Sequence, residues 1–380
     1  MRVLTLTPFY PDSKDNTRGC FVAEVLPSLE RAGVSNTVIA AQPFYRALGA
    51  ADSSAVPATW VKYFSIPGNN GLSLSGAFLF ARLIGKIRDL HRQDELDLIH
   101  AHGALPCGHA AMLIHRELGI PYVVSVHGLD VYSDVQVTGR VGQWCRRVSR
   151  LAYHSAGRVL CVSEHVRKVV IDGGIPFRQT SVVYNGADPD LFRPVQQLSQ
   201  NALSVLSVGN LIPTKGHAIL LRALSAIKAT HPDLTCEIVG IGPDRERLQQ
   251  LARELELPKV RFLGRLSRRE LAKAFGRCAL FVLPSFYEGL GCVYLEAMAS
   301  ERVAIGCRGQ GIEEIIEHGK NGWLVDPESS YDLATGLTTL LSNAAERDTI
   351  AVGGRQTILR GFTLAHQAER LGAIYREIGQ

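Results

Sequence analysis

The 380-residue sequence lacks the marks of several function classes. Its eight cysteines, Cys20, Cys107, Cys145, Cys161, Cys236, Cys278, Cys292 and Cys307, never fall closer than fourteen residues apart. There is therefore no Cys-x-x-Cys and no ladder of disulfide spacings. Most lie in apolar runs such as Val159-Leu160-Cys161-Val162, where free cysteine behaves as a small hydrophobe. A reducing, cytoplasmic setting is expected. No apolar run approaches the ~18 residues of a membrane-spanning helix. The opening MRVLTLTPFYPD is broken by Pro8 and Pro11, so it reads as a strand and not as a signal peptide. Neither sign of charge dominates: 41 Lys and Arg against 36 Asp and Glu leave +5, too mild for a general nucleic-acid binder. Low-complexity segments and H-E-x-x-H are absent. Only Gly19 stands between the first strand and the following helix, which argues against the G-x-G-x-x-G of a dehydrogenase.

What is present is alternation. Short β-branched runs (2–7, 36–41, 96–100, 122–126, 158–162, 181–184) are separated by helical periodicities such as 21–32, 76–91 and 104–118. The pattern restarts with 203–208, 235–239, 260–263, 280–283 and 303–305. This predicts an α/β protein of two Rossmann-like domains, residues 1–190 and 191–363, facing a central cleft. The stretch 185–201 has no apolar period and reads as linker and hinge. Ligands are expected in the cleft, at the carboxyl ends of the strands. Gly240-Ile241-Gly242 reads as a turn before a helix over 245–256.

The most informative segment is LFVLPSFYEGLGCVYLEAMAS, 280–300. A buried-looking strand passes through Glu288-Gly289-Leu290-Gly291 into a helix carrying Glu296. Glycines let backbone approach a ligand, and the amides at a helix start suit a diphosphate. The two carboxylates would stand roughly 10 Å apart, too far for a usual bond-flanking pair, so they would grip different parts of one elongated ligand. Taken alone, Glu288 reads equally as an exposed loop acid and Glu296 as a solvated helix charge. The apolar neighbours Leu295 and Ala297-Met298-Ala299 favour function, because an unpartnered carboxylate there is costly.

EGLGCVYLEAMA resembles the E-x7-E signature of the glycosyltransferase family 4 group of GT-B enzymes. Further matching segments run in order along nearly the whole chain: PFYPD with Gly19, DLIHAHG, SVHGLD, VVYNGADPDLFRP, VGNLIPTKG, VGIGPDRERL, VRFLGRL and EEIIEHGKNGWLVDP. The resemblance implies a nucleotide-diphosphate sugar donor held by the second domain, and transfer with retention to a glycan, lipid-linked or small-molecule acceptor. It implies neither metal nor cofactor, and a last helix within 364–380 crossing back to the first domain. A hexosyltransferase of a polysaccharide pathway is the expectation. In this pattern Glu296 bonds the ribose hydroxyls, while Glu288 and the amides of Gly289, Leu290 and Gly291 hold the sugar. Lys215 neutralises the departing diphosphate, His127 lies beside the sugar with Asp130 as orienting partner, and His102 borders the acceptor. Gly19 brings a first-domain loop against the phosphates, and Leu266 approaches the base. One departure matters. Asn210 follows Gly209 where the family commonly has arginine, so a neutral donor replaces a charged one and Arg18 becomes the candidate second cation.

Residue by residue, alternatives stay open. Lys215 taken alone reads equally as a solvated side chain, and His127 as a core histidine satisfied by backbone. His100, His102, His109 and Cys107 lack compact metal-ligand spacing. The segment 140–168 holds seven cations against the single acid Glu164, which suits either an anionic membrane surface or an ordinary solvated face. Specificity would reside in loops such as 49–57 and 68–75. A non-catalytic nucleotide-sugar-binding partner subunit, favoured by Asn210, and a GT-B sugar-nucleotide epimerase are the alternative functions.

Overall fold

The computed structural model describes residues 1–13, 15, 17–46, 56–67, 71–133, 137–195 and 203–379. The chain divides into two units, Met1–Asn185 with Leu364–Gln380, and Gly186–Thr363. The division falls at Asn185/Gly186, slightly before the expected 190/191.

The described residues of the first unit form a seven-stranded parallel sheet of β1 (Arg2–Thr7), β2 (Ser35–Pro43), β3 (Ala58–Tyr63), β4 (Leu98–His102), β5 (Tyr122–Val126), β6 (Arg158–Cys161) and β7 (Thr180–Val182), in the order β3-β2-β1-β4-β5-β6-β7. Those of the second form a six-stranded parallel sheet of β8 (Ser204–Val208), β9 (Thr235–Val239), β10 (Val260–Gly264), β11 (Leu280–Val282), β12 (Val303–Cys307) and β13 (Trp323–Val325), in the order β10-β9-β8-β11-β12-β13. Helices follow most of the strands, and the central strands are largely buried, as in sheets covered on both faces. Every residue of β4, β5 and β12 is buried.

In each unit the chain leaves its first strand in one direction and later returns to that strand's other side. The reversal lies between β1 and β4 and between β8 and β11. At such a switch point two loops diverge and leave a crevice at the carboxyl ends, the usual ligand position of a doubly wound sheet.

Two strands have no counterpart in the sequence reading. Strand β3 lies at a sheet edge with mixed exposure, and β13 is only three residues long, so neither shows a clear apolar run. The expected helix 21–32 is two short helices, Cys20–Ala23 and Leu26–Arg31, the second opening with Pro27 in its first turn, where a missing N–H costs nothing. The first residues of 104–118 make an irregular turn around Pro106 and the α-helix begins at His109. The division between the units falls within the expected linker, whose described residues from Gly186 onward pack in the second unit. Phe192 is buried against Phe275, with ring centroids 5.8 Å apart, and Ala187 N–H donates to the Phe362 carbonyl. Residues 196–201, 49–55 and 68–70 of the expected hinge and specificity loops lie outside the described residues. The helix Leu364–Ile378 belongs to the first unit, where Ala368, Leu371 and Tyr375 join its core.

Candidate active site

The second unit builds its site on the loops after β8 and β11. Past Val208 the backbone passes exposed Asn210 and makes a tight turn, Pro213–Lys215, closed by Gly216 at φ +70°. Any Cβ on Gly216 would lie 2.0 Å from the Pro284 carbonyl oxygen, so glycine is required where this turn meets the loop after β11. The Thr214 carbonyl accepts from Phe286 N–H (3.0 Å) and from Ser285 Oγ (3.1 Å). These contacts bring Lys215 to Glu288, with which it forms an ion pair sheltered from solvent. The sequence reading gave the two residues separate partners; in the structure each is the other's.

Glu288 is held from behind. Its N–H donates to Gln310 Oε1 at 2.9 Å, and its carbonyl accepts from Gly311 N–H at 3.4 Å. Gly289 follows, Leu290 is buried, and Gly291 caps the helix Cys292–Ala299. Tyr294 anchors that helix by donating to the Leu283 carbonyl at 2.6 Å.

Glu296 is 2% exposed. Its Oε1 accepts from Arg268 Nη1 at 2.8 Å, while Oε2 is buried without a partner. Arg268 opens the helix Arg268–Arg277, whose Ser267–Glu270 capping box satisfies the first-turn amides and fixes the residue's direction. Its guanidinium also lies 4.7 Å from the Phe192 ring centroid. Leu266 sits half-buried between β10 and this cap. Sequence reasoning missed Arg268 and Gln310. The signal for Arg268 was present, since a carboxylate among Leu295 and Ala297 needs a cation, but nothing local to Glu296 says which of many arginines supplies it.

The first unit gathers its candidates at the ends of β1, β4 and β5. Gly19 adopts φ +66°, and a Cβ there would lie 2.4 Å from the Phe9 carbonyl, so this loop tolerates only glycine. Arg18 folds back, donating from Nη2 to the Pro8 carbonyl at 2.6 Å; burial and then Arg46 lower its pKa. Within β4, His100 lies between Tyr375 Oη (2.6 Å) and Ser125 Oγ (2.7 Å). His102 Nδ1 and His127 Nε2 are 2.8 Å apart with their rings stacked, and Phe21 covers His127 at a centroid distance of 4.6 Å. His127 Nδ1 is buried without a partner. The expected orienting partner of His127 is therefore corrected from Asp130 to His102, because the β4–β5 pairing sets the two rings side by side.

Burial pushes His127 down to about 4, and burial followed by the charge of His127 pushes His100 down to about 3; His102 is lowered by burial and both neighbours. All three are neutral near pH 7, so the pair can share one N–H···N bond. Among the described residues no three His, Cys, Asp or Glu side chains converge on a metal site. None of the described helices is long and apolar enough to cross a membrane.

Residues 21–191 match the model of Glycosyltransferase Family 4, and residues 189–357 match that of Glycosyl transferases group 1. The chain is 28% identical over 327 residues to a D-inositol 3-phosphate glycosyltransferase of a Nocardioides species, covering 78% of this chain and 71% of that one. Among solved structures, a sucrose-phosphate synthase of Thermosynechococcus elongatus superposes with TM-score 0.79 at 21% identity, over 99% of each chain. Anabaena HepE in complex with UDP superposes with TM-score 0.78 at 22% identity, over 99% of this chain and 100% of that one. With a family 4 first half, a group 1 second half and two parallel Rossmann-like sheets, the chain is a GT-B glycosyltransferase.

Proposed function

We propose that the protein transfers a hexose from a nucleotide-diphosphate sugar to a glycan, lipid-linked or small-molecule acceptor, with retention and without a metal. The observation that carries the donor assignment is Glu296, a buried carboxylate with one oxygen fixed by Arg268 and the other unpartnered. A carboxylate half-satisfied in this way is suited to accept from vicinal ribose hydroxyls, because leaving an acceptor buried and unpaired costs ~1–3 kcal/mol that a ligand donor recovers. HepE, crystallised with UDP and with UDP-glucose, makes uridine donors the first to test.

Lys215 supplies the cation for the departing diphosphate. A phosphate oxygen would compete with Glu288 for its ammonium, and release of Glu288 would free that carboxylate for sugar hydroxyls together with the amides of Gly289, Leu290 and Gly291. The leaving group acquires charge as the glycosidic bond breaks, so a fixed cation strengthens in the transition state. Asn210 adds a neutral donor. The neutral His127, held by His102, offers an uncharged ring beside the sugar, with Gly19 and Arg18 on the neighbouring loop and Leu266 toward the base.

The test is a panel of UDP-, GDP- and ADP-sugars in the presence of chelator, read by thermal shift and by nucleoside-diphosphate release with and without acceptors. Selective stabilisation with acceptor-dependent release supports the reading. Turnover of the nucleotide sugar without acceptor points to epimerisation, and binding without release to a silent partner subunit.

A further inference from the structure

The sequence segment 137–163 contains no Asp or Glu, and most of it is one surface helix, Gly139–His154. Of the seven cations counted over 140–168, three are neutralised in the structure. Arg158 pairs with Glu377, Arg167 with Glu164 at 3.1 Å and Lys168 with Asp172 at 2.7 Å. The excess charge therefore lies on the helix at Arg140, Arg147 and Arg150, while Arg146 stacks 4.9 Å from the Tyr132 ring centroid.

Packing fixes which way the helix faces. Cys145, Val148, Ser149, Ala152 and Tyr153 are buried, and Tyr153 donates to the Val131 carbonyl at 2.6 Å. Steps of four and three residues then align Arg140, Trp144, Arg147, Leu151 and His154 on one line of the outer face, and all five are exposed. Trp144 is 49% exposed and Leu151 47%. Two large apolar side chains aligned amid cations, on a helix rotationally locked by its other face, suit a partner that is both apolar and anionic.

We propose that this face docks the protein on an anionic lipid surface. Seven residues separate Trp144 and Leu151, so at 1.5 Å of rise they stand ~10 Å apart at the same height and enter the acyl boundary together. The indole suits the headgroup level, while the arginine stems lie along the apolar zone and their guanidinium groups reach lipid phosphates. A shallow groove of about 330 Å³ lined by Gln143, Arg146, Arg147, Arg150, Leu151 and His154 gives one headgroup a seat. The sixteen-residue helix is too short to span and lies in the interface plane. A soluble polyanion would satisfy the arginines but leave Trp144 and Leu151 in water, which makes the membrane the better occupant.

The experiment is cosedimentation of the full chain with vesicles of phosphatidylcholine alone or mixed with phosphatidylglycerol, at low and high salt. No sugar nucleotide is present, so failure here leaves the transferase reading untouched. Binding to the anionic vesicles, weakened by salt, is expected. Each arginine removed lowers the partition coefficient roughly fivefold, so Arg140→Gln, Arg147→Gln and Arg150→Gln together lower it about a hundredfold. Trp144→Ser keeps the charge but lowers binding to the anionic vesicles severalfold and loses the blue shift of fluorescence on binding. Unchanged melting temperatures certify that the variants, all at exposed positions, remain folded. Absence of binding to anionic vesicles, equal binding by the triple variant, or binding to heparin without binding to vesicles would each overturn the proposal.

Discussion

Replacing Arg268 with methionine would preserve the bulk of the side chain and leave both oxygens of Glu296 without a partner. The Glu296 side chain is 3% exposed and that of Arg268 is 15% exposed. Removing one member of a buried pair costs ~3–5 kcal/mol, because the remaining charge is neither solvated nor compensated. Solvent reaches the arginine side of the pair, so the lower end, ~3 kcal/mol, is expected. For a domain of this size ~2–4 °C accompanies each kcal/mol, which gives a fall of about 6–12 °C in the melting temperature of the second unit. Trp323 is the only tryptophan between Gly186 and Thr363, so in a background with Trp60→Phe and Trp144→Phe its fluorescence in a urea titration reports this unit. Arg268→Met combined with Glu296→Leu removes both charges and should recover most of the loss, since an apolar pair of similar volume has no desolvation to offset. The reasoning fails if Arg268→Met is as stable as the parent, or if the double variant is less stable than the single one.

Three further outcomes follow from the same geometry. Lys215→Met should lower acceptor-dependent nucleoside-diphosphate release by roughly 100-fold or more, the usual loss when one leaving-group stabiliser is removed, while Lys215→Arg retains part of it; equal turnover in Lys215→Met refutes the role. Because burial lowers His127 to about 4, the unfolded chain binds a proton between about pH 4 and 6.5 that the folded chain does not, so stability is complete above pH 6.5 and falls as pH drops. Between pH 7 and pH 5 this one group accounts for about 2 kcal/mol, and urea titrations of His127→Asn at the two pH values should show the pH-dependent loss smaller by that amount. Gly216→Ala places a Cβ 2.0 Å from the Pro284 carbonyl oxygen at φ +70°, and should cost ~1–3 kcal/mol together with activity, because the turn that aims Lys215 is pushed off the β11 loop; wild-type stability would refute the contact.

The two parallel Rossmann-like sheets were legible because strands buried on both faces appear as apolar runs, and the glycine-to-helix passage after β11 is written in consecutive residues, whereas the strand order and the switch points come from the structure. What stayed hidden is pairing across distance. Lys215 and Glu288 are 73 positions apart and Glu296 and Arg268 28 apart, and nothing in local periodicity links them. The same holds for His102 and His127, whose bond follows from the β4–β5 register; a partner close in sequence, Asp130, was the natural expectation and the wrong one. Edge strand β3 was hidden for a different reason, since half-exposed edges carry no continuous apolar signal.

Among the buried polar atoms left unpaired, Glu296 Oε2 in one unit and His127 Nδ1 in the other belong to candidate site residues. Buried polar groups are nearly always bonded, so such exceptions require a reason. The reason is not local neglect, because both side chains are oriented by a specific bond through their other atom, Oε1 to Arg268 and Nε2 to His102. A side chain fixed at one atom and unsatisfied at the next cannot relieve itself by rotating without breaking the bond that holds it. The unpaired atom thus stays aimed in one direction at a standing cost of ~1–3 kcal/mol. That is the condition under which a ligand hydroxyl gains a hydrogen bond without first displacing an internal one.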